Sequence, residues 1–329
     1  MATIGDVAKL AGLSRTTVSR VINHHPYVSE EKKALVRQAM NELSYVPNSI
    51  AQNLRKQVTK TIAVLIPRIS NPFFSVMVEV MENAAAENGY QLVVCQTMYS
   101  KERELVYLNL FKTKQFDGVI LASIENDWND IQDYTQYGPI VMCNEYDDRA
   151  EVPMIRLNQF EGGYIGAKHL LERGHNKIAH SRGNHLTNLT QDRKDGFLYA
   201  LEESGLSSHD DWMFTGVSKI EDGRQLMRKI VQMNHSPTAI FTGSDEVAAG
   251  IIREAKVLNV KIPNDFAVVG FDDQPLARLM EPTLTTIYQP IKTISYQTMA
   301  AMFDMLKNPG KLERQTIDLS LHLIVREST

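Results

Sequence analysis

Very little in these 329 residues points to a membrane or to the outside of a cell. There are two cysteines, Cys95 and Cys143, each closing an apolar run (LVVC, IVMC). Thiols so placed read as buried, which excludes a disulfide scaffold and points to a reducing compartment. No apolar run approaches the roughly 20 residues of a membrane span. No basic n-region with an apolar h-region opens the chain, so the expected location is the cytoplasm. Enzyme signatures are also missing. No GxGxxG follows the first strand-like run, and GGYIGAK (162–168) lacks the GxxxxGK[ST] spacing and sits inside a helical pattern. TGSDE (242–246) lacks the flanking glycine of a nucleophile elbow. His169, His175, His180 and His185 are separated by changes of strand and helix that scatter their side chains. No metal, no cofactor and no catalytic residue is expected.

Charge is unevenly spread. The chain carries a net −4, yet its first sixty residues hold nine Lys or Arg against four Asp or Glu. A basic head on an acidic body suggests an anionic partner for the head alone. A solvated surface is the plainer explanation of charge by itself, so the pattern beneath it has to decide. Thr3 with Asp6 fits a helix N-cap, and Ile4, Val7, Ala8 and Ala11 form an apolar stripe. Gly12 stops that helix, and Ser14 can cap the next, from Arg15 to about Asn23. The loop His24–Val28 contains Pro26. Ser29 then caps a third helix with Glu30 and Glu31 in its favourable first turn. Two short helices joined by a Gly-containing turn, with a third beneath, make a helix-turn-helix. Its middle helix, within LAGLSRTTVSRVIN, is rich in hydroxyls and carries two arginines. That composition suits a polar surface outside the protein. Residues 49–55 predict a further short helix with little apolar surface to hold it.

From Thr61 the pattern alternates. Strands are expected at 62–67, 91–96, 117–123, 139–144, 177–181, 238–243 and 266–272. Helices are expected at 73–87, from 101, near 127–137, and at 161–173, 192–204, 222–234 and 245–258. Short apolar strands between amphipathic helices imply parallel sheets covered on both faces. Two such series imply two doubly wound lobes, with the terminal run 316–326 returning to the second. In open parallel sheets ligands bind beyond the carboxyl ends of strands. Those ends carry RISNPFF, Glu145, HSRGNH, Ser244–Asp245 and Asp272–Asp273, with Arg193 nearby. Aromatics, carboxylates, amides and an arginine around a cleft suit a polyhydroxylated ligand. Phe73 and Phe74 could instead pack a helix start, and the Asp pair could cap a turn.

Head and body together resemble the LacI/GalR family of bacterial transcription regulators over the whole chain. The resemblance rests on ATIGDVAKLAGLSRTTVSRVIN, YVPNSIAQNLR, SNPFF, FEGGYIGAKHLLERGHNKIA, RKDGF, FTGSDEVAAG, VVGFDD and PTLTTIYQP. It implies a helix-turn-helix headpiece with hinge helix over 1–57 (hinge about 48–56) and a periplasmic-binding-protein-like core over 58–329. Lobe 1 would comprise about 60–159 and 290–317, and lobe 2 about 160–289 and 318–329. The implied function is a homodimeric repressor of a carbohydrate-utilisation operon. It would bind a near-palindromic double-stranded operator and answer to a sugar-like effector held between the lobes. Arg15, Thr16 and Arg20 match the family's base-reading positions, and Arg can donate two hydrogen bonds to guanine. Ser14, Ser19, Asn23, Tyr45 and Asn48 would hold phosphates. Leu54 would wedge into the minor groove beside Ala51 and Arg55. Phe73, Asn144, Arg193, Ser244, Asp272 and Gln289 would line the effector cleft. Thr187 and Leu189 stand where the purine-binding branch has polar and arginine contacts, which speaks against a purine. A family regulator controlled by a protein partner or a non-sugar effector, a sugar-binding protein and a sugar enzyme are the competing readings. The basic headpiece and the missing leader and catalytic constellation argue against the last two.

Overall fold

The computed structural model describes residues 2–23, 25–46, 58–185, 187–308 and 314–329. Chain contacts divide it into two units, Met1–Thr59 and Lys60–Thr329. The expected hinge helix, with Asn48, Ala51, Leu54 and Arg55, lies outside the described residues, as does His24.

The first unit contains α1 (Ile4–Leu10), α2 (Arg15–Ile22) and α3 (Glu30–Glu42). Thr3 and Asp6 form a reciprocal capping box: Thr3 N donates to Asp6 Oδ2 at 2.8 Å, and Asp6 N to Thr3 Oγ1 at 3.3 Å. Gly12 ends the first helix at φ 65°, a backbone conformation that suits glycine. The Ser14 hydroxyl accepts from Thr17 N and starts the second helix. Ser29 has the extended backbone of an N-cap but makes no side-chain capping bond; Glu30 pairs with Lys33 there instead, at 2.7 Å. Val7, Ala8, Val18, Val21, Val28, Val36 and Ala39 close a small core, with Ile22 packed at its edge.

The second unit holds two six-stranded sheets. Sheet one contains β1 (Thr61–Ile66), β2 (Gln91–Gln96), β3 (Gly118–Leu121), β4 (Ile140–Cys143), β5 (Met154–Leu157) and β11 (Thr316–Leu319), in the order β11-β5-β4-β3-β1-β2, all parallel. Sheet two contains β6 (Ile178–Ser181), β7 (Met213–Phe214), β8 (Ala239–Phe241), β9 (Ala267–Asp272), β10 (Thr285–Tyr288) and β12 (His322–Ile324), in the order β12-β10-β9-β8-β6-β7. Helices α4 (Pro72–Glu87), α5 (Lys101–Lys112), α6 (Trp128–Ile131) and α11 (Ile291–Lys307) accompany the first sheet. The second has α7 (Gln159–Glu172), α8 (Asn188–Glu203), α9 (Ile220–Val231) and α10 (Asp245–Val257).

The terminal run corrects the expectation. Rather than all returning to lobe two, 316–319 joins the first sheet beside β5, and 322–324 joins the second, antiparallel to β10. The reason is topological. Every other strand runs toward the gap between the sheets, so a strand entering the second sheet from that gap must run the other way. Three crossings therefore link the lobes: after β5 into α7, after β10 into α11, and from β11 to β12. The expected helix near 127–137 is also broken. Asp127 caps only the short α6 through Asn129 N, and a 3-10 turn, Gln132–Tyr137, follows it.

In lobe two the helices pack in pairs at backbone contact. A β-carbon added at Gly163 of α7 would lie 1.9 Å from the Arg193 carbonyl of α8, and one at Gly196 the same distance from the Phe160 carbonyl. Gly223 of α9 and Gly250 of α10 repeat the arrangement, at 2.2 Å from Val247 O and 2.0 Å from Ile220 O. The glycines of GGYIGAK thus serve helix packing rather than phosphate.

Candidate functional site

On the headpiece, α2 buries Val18 and Val21 and turns Arg15, Thr16 and Arg20 outward. The Arg15 guanidinium lies over Gly5, where a β-carbon would come within 2.9 Å of it. Ser14 Oγ and Thr17 Oγ1 are 2.9 Å apart, and the Asn23 side-chain amide donates to Ser19 O at 2.7 Å and Ser19 Oγ at 3.3 Å. Tyr45 is half-buried against the headpiece core. The six outer residues of α2 and its ends thus form one polar face: two guanidinium groups, a threonine and small hydroxyl or amide groups, with no acidic side chain in the first turn.

In the core, Phe73 of lobe one shares a cavity lining with Asp272 and Gln289 of lobe two, while Asn144, Arg193 and Ser244 stand outside that lining. Asp272 ends β9 at φ 115° and Asn144 follows β4 at φ 69°. Asp272 accepts from Gln289 Nε2 on Oδ1 (2.6 Å) and from Gln274 Nε2 on Oδ2 (3.0 Å). Burial pushes its carboxyl above the ordinary range, against the pull of the Arg193 charge. Arg193 lies on α8, its guanidinium stacked 3.3 Å from the centre of the Phe271 ring. Nη1 donates to Gly243 O at 2.9 Å, while Nε and Nη2 donate to Gln159 Oε1 at 3.1 and 2.8 Å. These three bonds leave one N–H each on Nη1 and Nη2 for another partner. Phe73 opens α4, buried and edge-on to Phe74 at 5.1 Å. Ser244 caps α10 by accepting from Val247 N, so its hydroxyl has a structural duty beside the cleft.

Beside the expected Asn144 and the HSRGNH strand end, Ser123 and Gln274 carry no signal of their own in the sequence. Ser123, Asn144, Ser181 and Gln274 each stand at or just after the carboxyl end of a strand, and each keeps a buried side-chain oxygen without a partner. A buried orphan acceptor or donor costs roughly 1–3 kcal/mol. Four of them stand at strand ends, two in each sheet. Phe73, Asp272, Gln274, Tyr288, Gln289 and Lys292 line a cavity of about 180 Å³. At the far end Glu145 accepts from Thr187, and burial pushes its carboxyl up to about 7. Interlobe contacts close that end: Tyr146 donates to Asp192 at 2.7 Å, Asn188 Nδ2 donates to Tyr146 O at 3.0 Å, and Tyr99 stacks on His185 at 4.1 Å. Asp245, behind Asp272, is raised by burial and by the neighbouring Asp272 charge. It accepts from Gln274 N and Thr286 Oγ1 and shapes the loop rather than facing a ligand. Among the described residues no His, Cys, Asp and Glu cluster could hold a metal. No described helix is long and apolar enough to cross a membrane.

Two family profiles match the chain. Residues 3–48 match that of bacterial regulatory proteins of the lacI family, and residues 59–317 that of periplasmic binding proteins and the sugar-binding domain of the LacI family. The NTD biosynthesis operon regulator NtdR of Bacillus subtilis (strain 168) is 42% identical over all of both chains. Among solved structures, the complex of the transcriptional regulator CelR with cellobiose is similar at a TM-score of 0.75 and 27% identity, covering 100% of each chain. The lac repressor dimer bound to operator and the anti-inducer ONPF shares the fold at a TM-score of 0.87 and 24% identity, over 100% of this chain and 99% of that one.

Proposed function

The chain belongs to the LacI family of bacterial regulatory proteins, a DNA-binding transcriptional regulator and not an enzyme, and from that membership we propose a sugar-controlled repressor. It acts as a homodimer on a near-palindromic operator of a carbohydrate operon in the cytoplasm. A sugar or sugar derivative between the core lobes controls its grip.

The observation that carries the effector reading is the set of unpartnered buried oxygens on Ser123, Asn144, Ser181 and Gln274 at strand ends of both lobes, together with the N–H groups of Arg193 that Gly243 and Gln159 do not engage. A sugar offers many hydroxyls, each both donor and acceptor, and one apolar ring face to set against Phe73. The cavity of about 180 Å³ falls below the ~300 Å³ at which ordinary ligand pockets begin. A ligand larger than one sugar ring therefore enters only as the lobes part.

For the DNA reading, Arg15, Thr16 and Arg20 take the base edges, and Ser14, Ser19, Asn23 and Tyr45 the phosphates. Asn48, Ala51, Leu54 and Arg55 complete the contact as a hinge. Self-association is supported by β2, an edge strand that leaves Val93 and Val94 exposed and so needs a cover. The test is a randomised-site DNA selection combined with a thermal-shift screen of monosaccharides, disaccharides and their phosphates. A stabiliser whose effect grows with concentration and which also shifts operator affinity would support the reading. Selection that enriched no symmetric sequence would refute the operator half, and a screen without a stabilising sugar the effector half.

A further inference from the structure

Arg193 and Asp272 are joined through two glutamines rather than directly. Arg193 donates twice to Gln159 Oε1 (3.1 and 2.8 Å), Gln159 Nε2 donates to Gln289 Oε1 (3.3 Å), and Gln289 Nε2 donates to Asp272 Oδ1 (2.6 Å). The polarity of this relay is dictated by its ends. A guanidinium only donates and a carboxylate accepts, so each amide between them has one workable orientation. Gln159 is the first residue of α7, just past the crossing out of β5, and Gln289 lies in the crossing between β10 and α11. Both are nearly dry, at 2% and 4% exposure. No other chain of side-chain bonds among the described residues joins these two crossings to each other and to both ends of the ligand site.

We propose that Gln159 is a positioning residue of the regulatory switch. It ties Arg193 to both interlobe crossings, so a ligand that engages Arg193 or Asp272 re-orders both crossings together. The inference rests on the effector reading above. Its weakest link is the 3.3 Å Gln159–Gln289 bond, the longest of the relay, which yields first when the guanidinium turns toward a ligand hydroxyl. Fully paired buried networks behave as units, which is what a switch of this kind requires.

The experiment uses the full-length protein without added small molecule. Gln159→Glu keeps both bonds from Arg193 but cannot donate to Gln289; Gln159→Leu removes all three; Asp272→Ala removes the acceptor at the other end. Amide exchange is followed in the peptide spanning 288–291, and affinity is measured for the duplex that the wild type selects. All three variants should speed exchange in that peptide by about five-fold or more and change operator affinity by a similar factor in one direction, the lower end of ordinary coupling. The Gln159→Leu/Asp272→Ala double should add no more than about two-fold to the stronger single, because both cut one chain. Exchange at 288–291 unchanged in Gln159→Glu, or single effects that multiply in the double, would overturn the proposal. Should the wild type select no duplex, the repressor reading fails while the exchange comparison still decides the relay.

Discussion

Replacing Gly163 by alanine sets two effects of opposite sign against each other. In an exposed helix the change stabilises by roughly 0.8–1.0 kcal/mol, because glycine gives up more backbone freedom. Here the new β-carbon would sit 1.9 Å from the Arg193 carbonyl, where contacts below 3.4 Å are already tight, so α7 and α8 must part by about 1.5 Å. A gap of ~0.5–1 Å already forfeits a quarter to a half of each atom contact, and a buried side chain makes some 40–60 contacts of ~0.1–0.2 kcal/mol. Ala167, Leu170, Phe197 and Ala200 pack along this seam. Losing a quarter of the contacts of two or three such residues costs about 3–5 kcal/mol, so packing outweighs propensity and the net loss is ~2–4 kcal/mol. For a unit of this size that lowers Tm by about 4–7 °C. Urea unfolding followed by circular dichroism reads the stability. The sugar found by screening should also lose most of its stabilising effect, because the moved carbonyl belongs to Arg193. Gly196→Ala should behave alike, and the double should be less than additive, since one parting relieves both collisions. A Gly163→Ala protein as stable as the wild type, or more so, would refute the reasoning.

Asp272→Ala should fold and bind operator, with the shifted affinity that follows from cutting the relay, and lose the effector response, checked by operator titration with and without the screened sugar; an unchanged response would remove it from the site. Arg20→Ala should relax base preference at one position per half-site at a cost of roughly 1–3 kcal/mol, visible in a site-selection profile. Affinity for the selected duplex should fall steeply with salt because the headpiece is basic. Glu145 is raised to about 7 in the fold from an ordinary ~4.3 unfolded, so the native state holds the extra proton. That stability is complete below about 4.3 and is lost as pH rises through about 7. Glu145→Gln should therefore match the wild type near pH 5 and exceed it near pH 8 in urea unfolding.

The cleft was legible because strand ends are legible. Apolar runs such as IAVLI and VVGF stop where a polar residue begins, which singles out Glu145 and Asp272; Asn144 and Arg193, the latter inside α8, come from the family resemblance. What escaped had no local mark. The strand MIRL carries Arg156 in an otherwise apolar run, which hides it, although Arg156 simply pairs with Asp318 on the neighbouring strand. The start of α8 lies four residues before the expected 192, because Thr187 and Thr190 cap it reciprocally with hydroxyls, where the usual signature asks for Glu or Gln. GGYIGAK looked like a weak loop motif, since Gly163 finds its reason only in the Arg193 carbonyl thirty residues on, and Gly162 and Gly166 in the Phe271 and Phe241 rings further along the chain. Gln159 was unreadable for a similar cause. Its partners come from α8 and from a crossing 130 residues on.

The same glycines bear on how a bound ligand could act at a distance. A lobe that deforms would absorb a displaced arginine by small repacking, and nothing would reach the crossings. Lobe two resists this: α7 and α8 touch backbone to backbone at Gly163 and Gly196, and α9 and α10 at Gly223 and Gly250, so neither pair can slide or close further. Close-packed interiors transmit strain rather than dissipate it. The Arg193 guanidinium is held by Gly243 O and Gln159 while its carbonyl is pinned against Gly163. Its freedom therefore lies on the side of Gln159 and the crossings, where single hydrogen bonds, not backbone contacts, hold the arrangement. An effector shifts the two lobe arrangements only by binding one better than the other, and a rigid lobe beside a weakly bonded crossing is the mechanical condition under which that preference becomes a rotation.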